Sequence, residues 1–300
     1  MNIYDIAKLA NVSIATVSRV VNNSPKVSPK TKEKVLAVMK ENEYTPNAFA
    51  RGLGLGSMKT VGIICPNIDD IYMAKAVSYL EQNLHAHGYD CILGCSGFKQ
   101  EEKEDYVRLL LSKKIDTLIL VGSTYAGNGK DESDTDYIRE AAEQVSIFMI
   151  NAKVSGDNIY CTYADDFQAT YEVTKAFIRR GKEKILFMYD SESYSARQKM
   201  AGYEAALQDA GYPIRGNLKF KTKNDIEYTR DMLLEYNRTL DFDSVLATED
   251  GIAIGAVKYA KIKGLAIPEE LAVVGYNNSI LAISSDPELT SVDSKLGVMC

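Results

Sequence analysis

Tryptophan is absent from the 300 residues, and histidine occurs only at positions 85 and 87. Stacking against a ligand therefore falls to tyrosine or phenylalanine, and no Cys/His spacing suited to zinc exists. The cysteines at 65, 91, 95, 161 and 300 are odd in number and scattered. Cys65 and Cys91 lie in apolar runs, as buried reduced thiols do, which points to a reducing cytoplasm. No apolar run reaches the roughly 20 residues that span a bilayer, so no membrane partner is expected. The opening MNIYDIAKLA lacks a basic stretch followed by an apolar core, so no secretory leader is expected. A phosphate loop, a nucleophile elbow and a metal constellation are all missing. GLGLG (52–56) precedes the apolar run TVGIICP, so it is no dinucleotide fingerprint. These absences argue against an enzyme: catalytic residues, metal and cofactor are all expected to be none.

What is present is unevenly spread. A chain of this length predicts more than one domain. Residues 1–60 hold nine Lys and Arg against four Asp and Glu, a net +5, while the total is −6, so the remainder carries −11. A basic head on an acidic body suggests an anionic partner for the head alone.

The head reads as three helices. In YDIAKLANVSIATVSRVVN (4–22) Ile6, Ala7 and Ala10 recur at helical spacing, and so do Val17, Val20 and Val21. Asn11 and Val12 make a corner, and Ser13 is suited to cap the second helix. Ile14, Ala15, Ser18, Arg19 and Asn22 then share one outward face, whose mixture of apolar and polar groups suits a helix that lies against something. Ser28 and Pro29 start a third helix, with Val35, Leu36 and Met39 facing inward and Lys26, Lys30, Lys32 and Lys34 near its start. The pattern is a helix-turn-helix over residues 1–56. Its neck, YTPNAFARGLGLGSMKT, combines Pro46 with alternating glycines. A helix over 47–54 is marginal on its own and is expected to order only when paired on DNA.

IYDIAKLANVSIATVSRVVN resembles the head of the lactose-repressor (LacI/GalR) family of bacterial transcription regulators, and YTPNAFARGL resembles that family's hinge. SIATVSRVVN is most similar to the catabolite-control branch. The resemblance implies that the second helix enters the major groove, with Ile14 and Ala15 at the main base-reading positions. Side chains of this kind meet apolar groups such as a thymine methyl, whereas Arg19 can grip guanine. Tyr4, Thr16, Ser18 and Asn22 are placed for the DNA backbone, and Ser13 joins the DNA-binding set. At the hinge, Asn47, Ala50, Arg51 and Leu53 complete the DNA-binding set: two copies pack through Ala50, Leu53 wedges into the minor groove and Arg51 holds phosphate. The implied partners are double-stranded operator DNA and a second copy of the chain, a homodimer on a near-palindromic site. The branch adds a phosphoprotein co-regulator as an alternative.

Residues 60–300 alternate apolar runs with helical segments, which implies parallel sheets covered by helices on both faces, in two lobes. The expected fold class is thus α/β, a helix-turn-helix head and hinge followed by a two-lobed body similar to type I periplasmic binding proteins. The first lobe is expected over about 60–161 plus 290–300 and the second over about 162–289. Ligands in such sheets sit beyond the carboxyl ends of the strands. The candidates there are Asp69, Tyr72, Tyr125, Asp165, Arg197, Asp250 and Asn277, with Glu249 and Tyr276 beside them. Their mixture of planar polar groups and rings suits a sugar-like small-molecule effector. Arg197, in SARQKMAGY, matches the family's ligand-binding arginine, and Asp165 and Asp250 match its recurring acidic positions. Asn277 stands where aspartate is usual, and Glu249 where a neutral amide is usual, so the ligand's identity stays open. Family members continue past LTSVDSKLGVMC through a further helix and strands, so a first lobe short of its closing elements is expected. The leading reading is a ligand-controlled regulator, most simply a repressor, whose effector is a sugar or sugar phosphate. A sugar-binding transport protein is the alternative from another class, and it has no use for residues 1–56.

Overall fold

The computed structural model describes residues 1–44, 57–127, 132–236 and 241–300. They form two units, Met1–Thr60 with Lys114–Asp116, and Val61–Lys113 with Thr117–Cys300. The predicted hinge helix over 47–54, with Asn47, Ala50, Arg51 and Leu53, lies outside the described residues.

The first unit holds helices α1 (Ile3–Leu9), α2 (Ile14–Val21) and α3 (Pro29–Glu41). Each start is fixed by a side-chain cap that satisfies otherwise orphaned backbone donors. Asn2 and Asp5 form a reciprocal capping box on α1, Ser13 caps α2 and Ser28 caps α3 ahead of Pro29. Asn11 and Asn23 turn the chain with φ of 48° and 52°, the left-handed region that asparagine tolerates better than most residues. Ile6, Ala7, Ala10, Val17, Val20, Val35 and Met39 make one core. Leu36, expected inside, is exposed instead; Val35 and Met39, one turn apart, already fill the face of α3 turned to the core. At the end of this unit Asp116 accepts hydrogen bonds from Ser57 Oγ (2.9 Å) and from the Met58 and Thr60 N–H groups (3.0 and 3.2 Å).

The second unit contains two five-stranded sheets, β2-β1-β3-β4-β5 and β10-β9-β8-β6-β7. The first comprises β1 (Thr60–Cys65), β2 (Asp90–Cys95), β3 (Thr117–Val121), β4 (Ser146–Ile150) and β5 (Ile159–Thr162). Helices α4 (Ile71–Ala86), α5 (Gln100–Ser112) and α6 (Asp136–Ala142) connect them. The second sheet comprises β6 (Ile185–Tyr189), β7 (Lys219–Lys221), β8 (Ser244–Ala247), β9 (Ala272–Tyr276) and β10 (Thr290–Val292). Its helices are α7 (Asp166–Arg179), α8 (Tyr194–Asp209), α9 (Ile226–Tyr236), α10 (Asp250–Lys263) and α11 (Ile280–Ser284). Pairing is parallel, as in β3–β4 and β6–β8. The near-continuous apolar runs VGIIC and ILFM reflect strands buried on both faces.

Helices α7 and α8 cross closely at Gly202. A Cβ there would stand 2.1 Å from the Phe167 carbonyl oxygen, a distance no side chain can occupy. Thr170 Oγ1 donates across the same crossing to the Lys199 carbonyl at 2.8 Å.

The lobe boundary differs from expectation at the carboxyl end. Residues 290–292 do not return to the first lobe: β10 pairs with β9 through Thr290 opposite Val274 and Val292 opposite Tyr276. The short α11 leaves the chain beside the open edge of β9, and Leu289 enters the second lobe's core. The return comes after Val292. In the final helix, α12 (Leu296–Met299), Leu296 and Met299 pack with Val61, Ile63 and Leu80 of the first lobe.

Candidate functional site

The first candidate surface is the outward side of α2. Ser13 Oγ accepts from the Thr16 N–H at 3.1 Å and lies 2.9 Å from Thr16 Oγ1. This cap sets the helix N-terminus, where Ile14, 42 % exposed, and Ala15 stand clear of the core. Arg19 is exposed in the last turn, and no acidic residue lies in the first turn. Tyr4 on α1 is 66 % exposed. Thr16, Ser18 and Asn22 are half-buried. Asn22 Oδ1 is buried with no hydrogen-bond partner among the described residues. The surface therefore offers apolar groups, one guanidinium and short polar groups on a rigid helix.

The second candidate site is the cleft between the two lobes of the body. Strand ends and helix starts of both lobes face it. An inner chamber of about 100 Å³ is lined from the first lobe by Asn67, Asp70, Tyr72, Phe98, Ser123 and Asn151, and from the second by Asp190, Ser195, Lys199, Thr248, Glu249 and Asn277. An outer mouth of about 870 Å³ adds Asp69, Lys223, Asp225, Glu227, Asp250 and Tyr276. Direct bridges between the lobes include Ser123 Oγ to Ser193 Oγ at 2.9 Å, Arg197 to the Gly127 carbonyl at 3.3 Å, and Asn224 to Asp70 at 3.4 Å.

Of the residues expected to meet ligand, Asp69, Tyr72, Asp250 and Asn277 line the cleft. Asn277 adopts a φ of 87° and donates to Glu249 Oε2 at 2.6 Å. Asp250 is 2 % exposed, with Oδ1 accepting from Ser291 Oγ and Oδ2 from the Ser279 N–H, both at 2.6 Å. It joins α10 to the loops behind the mouth. Tyr72 is buried, and burial raises its phenol well above the ordinary range.

Three residues lie elsewhere. Tyr125 is fully buried, its hydroxyl 2.7 Å from Ser96 Oγ, and it lines neither chamber nor mouth. Asp165 is exposed and caps α7, accepting from the Gln168 N–H at 2.9 Å. The buried acid of that pair is Asp166, whose Oδ1 receives the Tyr276 hydroxyl at 2.6 Å. Arg197 is held by the Gly127 and Glu192 carbonyls at the lobe junction, and burial lowers its pKa. The cation inside the chamber is Lys199, 3 % exposed, two residues further along α8. Its Nζ donates to the Thr248 carbonyl at 3.1 Å and lies 3.7 Å from the centroid of the Tyr276 ring, a cation–π arrangement. Lys199 falls at helical spacing with the apolar Ala196, Tyr203 and Ala206, which are buried beside it, and that spacing was the available signal.

The chamber's electrostatics are set by burial. Desolvation pushes the Glu249 carboxyl up to about 8, and Asp190 and Asp70 add to the rise while Lys199 and the Asn277 amide oppose it. Asp190 is raised for the same leading reason. Burial penalises the charged form of a carboxyl, and like charges deepen the penalty. Among the described residues no group of His, Cys, Asp and Glu is arranged to hold a metal, and no helix is long and apolar enough to cross a membrane.

Comparison with known proteins identifies the family. Residues 2–47 match the family of bacterial regulatory proteins, lacI family, and residues 58–297 match the periplasmic binding proteins and sugar binding domain of the LacI family. An HTH-type transcriptional regulator of Lachnoclostridium phytofermentans is 47 % identical, over 100 % of this chain and 90 % of that protein. Catabolite control protein A of Priestia megaterium is 31 % identical, over 97 % and 87 %. Among solved structures, the lac repressor dimer bound to operator and the anti-inducer ONPF has a TM-score of 0.88 at 23 % identity, covering 100 % of this chain and 89 % of its own. The cellobiose complex of the regulator CelR has a TM-score of 0.69 at 24 % identity, with the same coverage. These likenesses extend to the fold, and with the family matches across head and body they establish that the chain belongs to the LacI family of DNA-binding transcriptional regulators.

Proposed function

We propose that this regulator is a repressor that binds a near-palindromic operator as a homodimer, and that a small ligand in the inter-lobe cleft sets its affinity for DNA. The observation that carries the reading is the cleft itself: polar groups of both lobes converge on one chamber, and among the described residues few direct bonds join the lobes across it. A ligand seated there adds bonds to both lobes at once and so favours the closed arrangement. Differential affinity of this kind couples sites by typically about 1–3 kcal/mol. The exposed Ile14, Ala15 and Arg19 supply the sequence-reading surface, and half-site symmetry in the operator mirrors the two-fold of the protein. Sugar complexes and operator complexes among proteins of the same fold support the reading.

Selection from a randomised palindromic library at two salt concentrations tests it. The expected result is a half-site preference that survives at the higher salt, because non-specific phosphate binding falls steeply with ionic strength. Arg19→Ala is expected to weaken the preferred half-site by about 1–3 kcal/mol and to relax choice at one base pair. Uniform weakening on every sequence would assign Arg19 to phosphate. Binding that loses all sequence preference at the higher salt overturns the reading.

A further inference from the structure

We propose that the cleft's effector belongs to the amino sugars, a polyhydroxylated frame bearing a protonated amine, and that the site rejects phosphorylated sugars. The inference rests on the effector-controlled reading above and names the ligand class for that site. It starts from charge. Asp70, Asp190 and Glu249 line the inner chamber, and Lys199 is the one cation among its described lining residues. Lys199 is already engaged with the Thr248 carbonyl and the Tyr276 ring. In the outer mouth Asp69, Asp225, Glu227 and Asp250 stand against Lys223. A phosphate group entering this cleft meets Asp70 in the chamber and the acids of the mouth, like charge at short range in a partly desolvated space where Coulomb interactions are strong. An ammonium group meets the opposite.

The second observation is independent of charge. Ser195 Oγ and Thr248 Oγ1 belong to residues 4 % and 2 % exposed, line the same chamber and have no hydrogen-bond partner among the described residues. Buried hydroxyls without partners are uncommon and call for one. Ligand hydroxyls supply such partners, so the frame that carries the amine is a polyol. Phe98, 65 % exposed at the rim, offers the ring that an apolar sugar face can cover.

The protonation of Glu249 gives the inference a distinctive readout. Its carboxyl faces Lys199 from α8, Asp190 after β6, Asp70 before α4 and the Asn277 amide after β9, with the Tyr72 and Tyr276 phenols nearby. Held near 8, this group is mostly protonated at pH 7. An arriving ammonium favours the ionised form, so binding expels a proton into solution. A neutral sugar does not require this.

Calorimetric titration of the full chain with matched series tests the proposal. The series are glucose, glucosamine and glucose 6-phosphate; galactose, galactosamine and galactose 6-phosphate; and cellobiose against the β-1,4 disaccharide of glucosamine. Each is run at pH 7.2 in two buffers of different ionisation enthalpy. Within at least one series the amine is expected to bind ten-fold or more tighter than its neutral partner, with net proton release, and the phosphate to bind weakest. Glu249→Gln is expected to cut amine affinity about ten-fold, more than it cuts the affinity of the matched neutral sugar, and to abolish proton release. Asp190→Asn, expected to weaken amine binding in the same direction, serves where Glu249→Gln unfolds. Equal binding of neutral and amino members, or tighter binding of a phosphate, overturns the ligand class and leaves the effector cleft standing. No heat from any series, with DNA binding indifferent to all of them, overturns both.

Discussion

The recognition surface proposed for the head is drawn from one helix, α2, whose eight consecutive residues run from Ile14 to Val21. The cleft of the body instead gathers Asp70, Asp190, Lys199, Glu249 and Asn277 from five separate points of the chain. In the head, one side of a helix is core and the other is site, so folding and recognition are written in the same short pattern. In the body, the site is made of residues near strand ends and helix starts, and the sheets that bring these residues together are apolar and carry no chemistry of their own. The difference teaches that a small recognition unit stands or falls with its core, whereas the cleft can be altered in charge while its scaffold persists.

The sharpest way to break that contrast is to damage the head's core. Ile6 is fully buried in it, and Ile6→Ala should cost about 2–5 kcal/mol. A core this small rarely supplies more than about 3–5 kcal/mol in total. The expected outcome is loss of sequence-specific DNA binding and of the head's melting transition, with the body's transition unmoved in differential scanning calorimetry. A body that melts earlier by the same amount would make the two units one cooperative block.

The next effect concerns charge in the cleft. With Glu249 raised from its ordinary 4.5 to about 8 in the folded chain, both states carry the proton at pH values below 4.5. Between 4.5 and about 8 only the folded state holds it, so stability falls as pH rises through that window, by at most about 1.4 kcal/mol per pH unit. Glu249→Gln should remove this slope, and urea denaturation at pH 5, 6, 7 and 8 should show the variant gaining steadily on the parent. Parallel curves would mean that the carboxyl is ionised in the folded chain. The smallest effect is expected at the cap of α2, where Ser13→Ala should cost about 1 kcal/mol. It should shift the head's transition in a calorimetric scan without touching the cleft.

The head was nearly transparent to sequence reasoning. Asn11 at the corner, Ser13 and Ser28 as caps and Val17 and Val20 as core are all where periodicity put them. Leu36 departed because periodicity marks an apolar stripe but not how wide a stripe the neighbours can cover. In the body the main strands and helices were legible from alternation. Short edge strands such as β5 and β7, and helix α9, were not, since three or four residues at a sheet edge leave little pattern. The cleft was legible in outline. Asp69, Tyr72, Asp250 and Asn277 line it, while Asp165 stands beside the buried Asp166, and Arg197 stands near Lys199.

The amino-acid order by itself determined the division into a basic helical head and an acidic α/β body, because hydrophobic periodicity and charge are local properties of the chain. Tertiary structure alone decided which polar residue of each pair turns inward. Successive residues on a helix point about 100° apart, so two residues on α8 part company: Lys199 reaches the chamber and Arg197 the lobe junction, with α8 held close against α7 at Gly202. The meeting of the two lobes gathers three acids around one lysine, and burial, which no linear pattern contains, raises two of them, Glu249 and Asp190.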